Sequence, residues 1–162
     1  MKKIMTLLLL GTMCIGMLGC GSTKQEETVT LDETCVEILD KVYENAELTQ
    51  DFRDSLAYFE KTEIPLENAE YILGTTEIPY EDSVYSAPMM SSVAYQCIVL
   101  RVDDGMGVEE AKQLLEQHTD PAKWVCVEAE SVVVENVGDV ILYVMADNET
   151  AEALKTAFLA LK

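Results

Sequence analysis

Apolar residues recur at three- and four-residue spacing through Leu31, Cys35, Ile38, Leu39 and Val42, with Glu33, Glu37, Asp40, Lys41 and Glu44 between them. That spacing predicts an amphipathic helix over residues 30–43 with one buried face. Thr30 followed three residues later by Glu33 has the form of a capping box, in which each side chain satisfies a free backbone N–H. Residues 46–81 are less regular. Phe52, Leu56 and Phe59 give a weak helical period, and Pro65 and Gly74 bracket a short helix in "PLENAEYILG". Pro79 and Pro88 punctuate the next stretch, with a short strand expected near "DSVYSA".

The pattern then changes to a period of two. In "VAYQCIVLRV", residues 93–102, Ala94, Ile98, Leu100 and Val102 share one face and Val93, Tyr95, Cys97 and Val99 the other. A strand apolar on both faces belongs in the middle of a sheet covered on both sides. After "DDGMG", the residues Val108, Ala111, Leu114, Leu115 and His118 form one helical face. Asp120-Pro121 has the form of an N-cap with Pro at the first helical position. "WVCV" beyond it fits a short helix or a strand equally, because periodicity does not separate the two in so short a run. "SVVVENVGDVILYVMA" has two β-branched runs around Asn136-Val137-Gly138-Asp139, which predicts a hairpin. Asp147 or Asn148 caps a last helix whose core face is Ala151, Leu154, Ala157, Phe158 and Leu161. These elements predict one α+β domain over residues 30–162: a mainly antiparallel sheet of three to four strands with helices packed on it.

The first 29 residues belong to none of this. Lys2 and Lys3 precede the apolar stretch from Ile4 to Leu18, which has the form of an export signal over residues 1–19. It is shorter than the roughly 20 apolar residues of a membrane span. The stretch "MLGC" resembles the lipobox of bacterial lipoproteins, an apolar residue, a small residue and an invariant cysteine. Met17 stands where leucine is commonest and Leu18 is bulkier than usual. Cys14 is the rival, but "GTM" before it lacks the apolar residue at minus three and places a large one at minus one. The resemblance implies that Cys20 receives a diacylglycerol and becomes the first mature residue. Two acyl chains anchor stably where one does so only marginally. Residues 20–29 then read as the lipidated cysteine and a polar tether. The expected location is the outer face of the cytoplasmic membrane.

Charge narrows the partners. Without Lys2 and Lys3, the 11 basic side chains fall to 9 against 30 acidic ones, a formal charge of −21. That excess opposes nucleic acid, whose phosphates need Lys and Arg, and repels anionic headgroups, so the domain stands off the bilayer. Acidic residues are spread along the chain, which fits solubility; the alternative is a cation or a basic partner. Cys35, Cys97 and Cys126 remain after Cys20, an odd number without a CxxC pair. Each lies among apolar residues, so buried thiols are expected in place of a disulfide or metal site.

Candidate chemistry is sparse. His118, the single histidine, falls on or beside a core face near a helix C-terminus, where it interacts with free carbonyls; the alternative is a base or ligand. A zinc site of Cys97, Cys126 and His118 has no supporting ligand spacing. "VDDGMGVEE" lacks the alternating oxygens of a calcium loop, and Asp103 and Asp104 read as the end of a strand and the acidic approach to a helix. No catalytic residue, metal or cofactor is assigned. Trp124 reads as a core anchor, with a ligand platform as the alternative. "YSAPMMSSVAY" is the most unusual stretch: Tyr85, Met89 and Met90 at a sheet margin would form an adaptable partner surface, against the plainer reading that methionines fill core gaps.

The lipobox, "AYQCIVLRV" before an acidic helix, "DPAKWVCVEAESVVVENVGD" and "VILYVMAD" before a terminal helix together resemble a family of small lipoproteins of anaerobic Gram-positive bacteria, known as a domain of unknown function. The resemblance covers roughly residues 30–160 and carries no catalytic residue across. The expected function is a non-catalytic binding module facing an envelope protein or cell-wall component. The alternative is a cell-envelope enzyme without a recognisable motif, which paired carboxylates in a cleft would reveal.

Overall fold

The structure, a computed structural model, describes residues 30–90 and 93–162. The expected export signal, Cys20 and the expected tether therefore lie outside the described residues. The first helix, α1 (Cys35–Asn45), starts one turn later than the spacing predicts. The chain contains two Thr-x-x-Glu patterns in succession, and the second forms the cap: Thr34 N–H donates to Glu37 Oε2 (3.0 Å) and Glu37 N–H to Thr34 Oγ1 (3.3 Å). The first pattern is held extended. The Arg101 guanidinium donates to the carbonyls of Leu31 (2.7 Å) and Glu33 (2.8 Å), which keeps those groups out of a helix.

Helix α2 (Gln50–Ser55) follows, capped by Thr49, and Arg53 on it donates to the carbonyls of Tyr43 and Ala46 at the end of α1. Those carbonyls have no partner within their own helix, so Arg53 both satisfies them and fixes α2 against α1. A 3-10 turn then leads into strand β1 (Phe59–Thr62). Pro65 opens a second 3-10 turn and α3 (Ala69–Leu73), which Gly74 ends at φ 83°. Next come β2 (Tyr80–Pro88), β3 (Gln96–Val102), α4 (Val108–His118), β4 (Ser131–Val137), β5 (Val140–Ala146) and α5 (Asn148–Leu159).

All pairings in the sheet are antiparallel, in the order β1-β2-β3-β5-β4. The architecture is α+β as expected, with five strands in place of three to four. The additional strand is β1, an edge strand of which only Phe59 is even partly buried. "FEKT" therefore has no apolar alternation for a pattern to reveal. Val137 pairs with Val140 across a two-residue turn, with Gly138 at φ 61° in its first position. That is the placement of glycine in a type II′ hairpin turn, whose twist matches the strands.

β3 and β5 are apolar on both faces and divide the interior in two. Cys97, Val99, Leu142 and Val144 pack with α1 and α5 on one side. Ile98, Leu100, Ile141, Tyr143 and Met145 pack with α3 and α4 on the other. The helices α1, α4 and α5 are thus shared between the faces. Among the described residues no helix is long and apolar enough to cross a membrane.

Asp120-Pro121 starts no helix. Asp120 Oδ1 accepts from Ala122 N–H (3.0 Å) and its carbonyl from Lys123 N–H (3.2 Å), closing a turn around the proline. "WVCV" is neither helix nor strand. Cys126 there is exposed at φ 68°, contrary to the expected burial; Cys35 and Cys97 are buried. Apolar neighbours mislead at Cys126 because the segment joins no ladder, and Val125 beside it is itself exposed. Burial pushes the thiols of Cys35 and Cys97 up to about 12, Cys35 also through the neighbouring Asp82 carboxylate.

Gly74 joins the two helices of the second face. A Cβ placed there would lie 2.3 Å from the His118 carbonyl oxygen at the end of α4. Gly74→Ala therefore meets both a left-handed φ and a backbone clash. Left-handed backbone alone costs roughly 1–2 kcal/mol in a side-chain-bearing residue. The expected loss is about 2–4 kcal/mol with α3 displaced from α4, measured by urea unfolding; an unchanged midpoint would contradict it.

Candidate functional site

An apolar groove of about 590 Å³ opens on the α1/α5 side of the molecule, at the end of the sheet where β2 finishes. Its walls come from segments distant in sequence: Leu48 and Phe52 around α2, Tyr58 and Phe59 entering β1, Pro88, Met89 and Met90 leaving β2, and Val93 before β3. The start of α5 closes it with Asp147, Glu149 and Thr150. The volume lies within the roughly 300–1,000 Å³ of ordinary ligand pockets.

The floor is rigid and aromatic. Phe52 and Phe59 meet edge to face at 5.7 Å between centroids, and both rest on Tyr95, at 5.2 and 5.1 Å. Tyr95 is fully buried, and its hydroxyl shares a 2.9 Å hydrogen bond with that of Tyr43. Loss of hydration on burial holds both phenols well above their ordinary range. Tyr43, Tyr95 and the Cys97 thiol beside them therefore stay protonated near neutral pH.

The polar rim is acidic. Glu47, Asp147 and Glu149 line it, and no Lys, Arg or His does among the described residues. Asp147 Oδ1 also accepts the Thr150 N–H (2.9 Å) as the cap of α5. Acidic groups in the first turn offset the positive end of a helix, so an anionic ligand gains nothing here.

Met89 and Met90 are 69% and 76% exposed, far from the gap-filling position that methionine often takes. Ser91 and Ser92, which come after them, lie outside the described residues. Tyr85 does not join them in the groove. It is half-buried and packs with the second core, where burial pushes its phenol up to about 12. Tyr85 sits within β2, whereas Met89 and Met90 follow the end of that strand at Pro88. Tyr85 instead borders a second depression with Tyr71 and Trp124, which Met89 also touches.

The other candidate residues do not line the groove. His118 is exposed instead of lying beside the core; the end of α4 is tied down by Thr119, whose hydroxyl lies 2.6 Å from the Leu115 carbonyl and 2.9 Å from the Tyr143 hydroxyl. Cys97 faces the α1/α5 core while α4, which ends at His118, lies across the sheet. Asp103 Oδ1 accepts from Gly105 N–H (2.8 Å) and turns the chain out of β3. Among the described residues no group of three or more His, Cys, Asp or Glu side chains is placed to hold a metal ion.

Trp124 packs partly against the second core. Next to it, the Lys123 Nζ sits 5.1 Å from the centre of the Tyr71 ring and 5.6 Å from that of Trp124. It donates to Gln96 Oε1 (2.6 Å) and towards the carbonyls of Tyr71 and Ile72 at the end of α3 (3.3 and 3.5 Å). Burial lowers its titration to about 8, with Asp120 opposing. Its folded value is below its unfolded one, so between pH 8 and 10.5 the unfolded chain binds the extra proton. The lysine then makes stability rise with pH in that window. Urea unfolding of the protein and of Lys123→Met should show their difference moving in favour of the lysine from pH 7.5 to 9.5; a constant difference would contradict this.

The sequence pointed to Met89 and Met90 through their unusual stretch but not to Leu48, Phe52, Phe59 or the start of α5. Phe52 and Phe59 read locally as one weak helical face, and only folding brings them opposite the start of α5. The chain matches no protein-family model, no curated protein and no solved structure.

Proposed function

We propose that this protein is an exported lipoprotein, held at the outer face of the cytoplasmic membrane through Cys20, which binds a partner in the groove without acting on it chemically. The observation that carries this reading is an open apolar groove with Met89 and Met90 exposed at its mouth. Soluble domains rarely leave such contiguous apolar surface unless something covers it. Methionine is unbranched and polarizable, so it moulds to varied partners. The groups that would supply acid–base or nucleophilic chemistry beneath the floor are buried phenols and a thiol held protonated.

The test is binding of a neutral, environment-sensitive apolar dye to the mature chain, residues 20–162 produced without the preceding segment and carrying Cys20→Ser, which removes lipid from the measurement. The expected result is saturable dye fluorescence with a single site. No saturable signal would remove the groove as a binding surface.

A further inference from the structure

The groove's chemistry narrows its occupant. Its floor is apolar and methionine-bearing, and its rim carries three carboxylates: Glu47 in the connection after α1, Asp147 at the cap of α5 and Glu149 in the first turn of α5. No basic side chain among the described residues lines the groove to neutralise them. We infer that the groove takes a basic amphipathic peptide segment, with the apolar face of a helix against Phe52, Phe59, Met89 and Met90 and its Lys or Arg side chains over the rim. The inference rests on the reading of the groove as a partner site and adds the partner's chemistry.

Charge complementarity decides among occupants. A helix laid in an apolar groove presents side chains at three- and four-residue spacing, so basic residues flanking its apolar face meet the acidic rim while that face covers the floor. Methionine-bearing surfaces tolerate variation in the apolar anchors. The mature charge of −21, from 9 basic and 30 acidic side chains, steers a basic segment towards the surface and turns an acidic one away. An acyl chain or a neutral apolar molecule would use the floor alone and draw nothing from the charge of the rim.

Three labelled peptides of about 14 residues, the length at which isolated helices become marginally stable, test this against the mature chain carrying Cys20→Ser. One has leucine on one helical face and lysine on the other. The second replaces lysine by glutamate. The third scrambles the first so that no apolar face remains. The expected result is that the first binds at least about tenfold tighter than either of the others, displaces the neutral dye and weakens as salt rises. Glu47→Gln with Glu149→Gln should weaken it about tenfold and flatten its salt dependence. Equal binding of the first and scrambled peptides would mean unspecific charge attraction and would overturn the inference, as would tighter binding of the glutamate peptide. If the dye binds and the leucine–lysine peptide does not, the inference falls while the groove remains a site; if neither binds, both fall.

Discussion

Replacing Met89 and Met90 together by aspartate is expected to weaken binding in the groove by about a hundredfold, which corresponds to about 2.7 kcal/mol. Each substitution removes an apolar side chain from the mouth, a contact worth roughly 1.5–3 kcal/mol when fully covered. Each also adds a carboxylate to a rim that already carries Glu47, Asp147 and Glu149. The fold should be unaffected, because both side chains are more than two-thirds exposed and belong to neither core. Circular dichroism and the unfolding midpoint separate the two effects. Unchanged dye binding by a folded variant would show that the groove is not where binding occurs, and a collapsed midpoint would show that the methionines hold the domain together.

The second large effect concerns the anchor. The lipobox at "MLGC" implies that the exported chain starts at Cys20 and carries diacylglycerol. Intact-mass measurement of the membrane fraction should show that chain plus its lipid, with residues 1–19 absent. Cys20→Ser should abolish both changes, because the hydroxyl is a far weaker nucleophile than the thiolate at neutral pH. It should therefore retain residues 1–19 and carry no lipid. A Cys20→Ser product of mature mass, or one that still partitions as a lipidated protein, would place the boundary elsewhere and would reopen Cys14 as the acceptor.

The layers of the fold were legible where one element carries its own pattern. Ile98 and Leu100 against Cys97 and Val99 announce a two-sided strand, and the structure puts a packed core on each side of it. The hairpin was legible because Gly138 marks a turn between β-branched runs. β2 was legible only as a short strand, since buried Ser83 and Ser86 break its apolar alternation. Ser83 is tolerated because its hydroxyl accepts the Ile64 N–H (3.1 Å), a tertiary contact that no local pattern reveals. The start of α1 was displaced for a similar reason, since the competing ligand of residues 31–33 is Arg101, some 70 positions away. The groove was legible in outline at Met89 and Met90 and invisible elsewhere, because its floor and rim assemble from both ends of the chain.

Residues 20–162 hold four methionines, Met89, Met90, Met106 and Met145, and this gives the groove its own reporter. Met106 and Met145 pack with the second core, across the sheet from the groove. Methyl NMR of the methionine-labelled mature chain carrying Cys20→Ser, titrated with the neutral apolar dye, tests the central claim most directly. The Met89 and Met90 methyls are expected to shift with saturation while those of Met106 and Met145 stay in place. Shifts at Met106 or Met145 without shifts at Met89 and Met90 would contradict it.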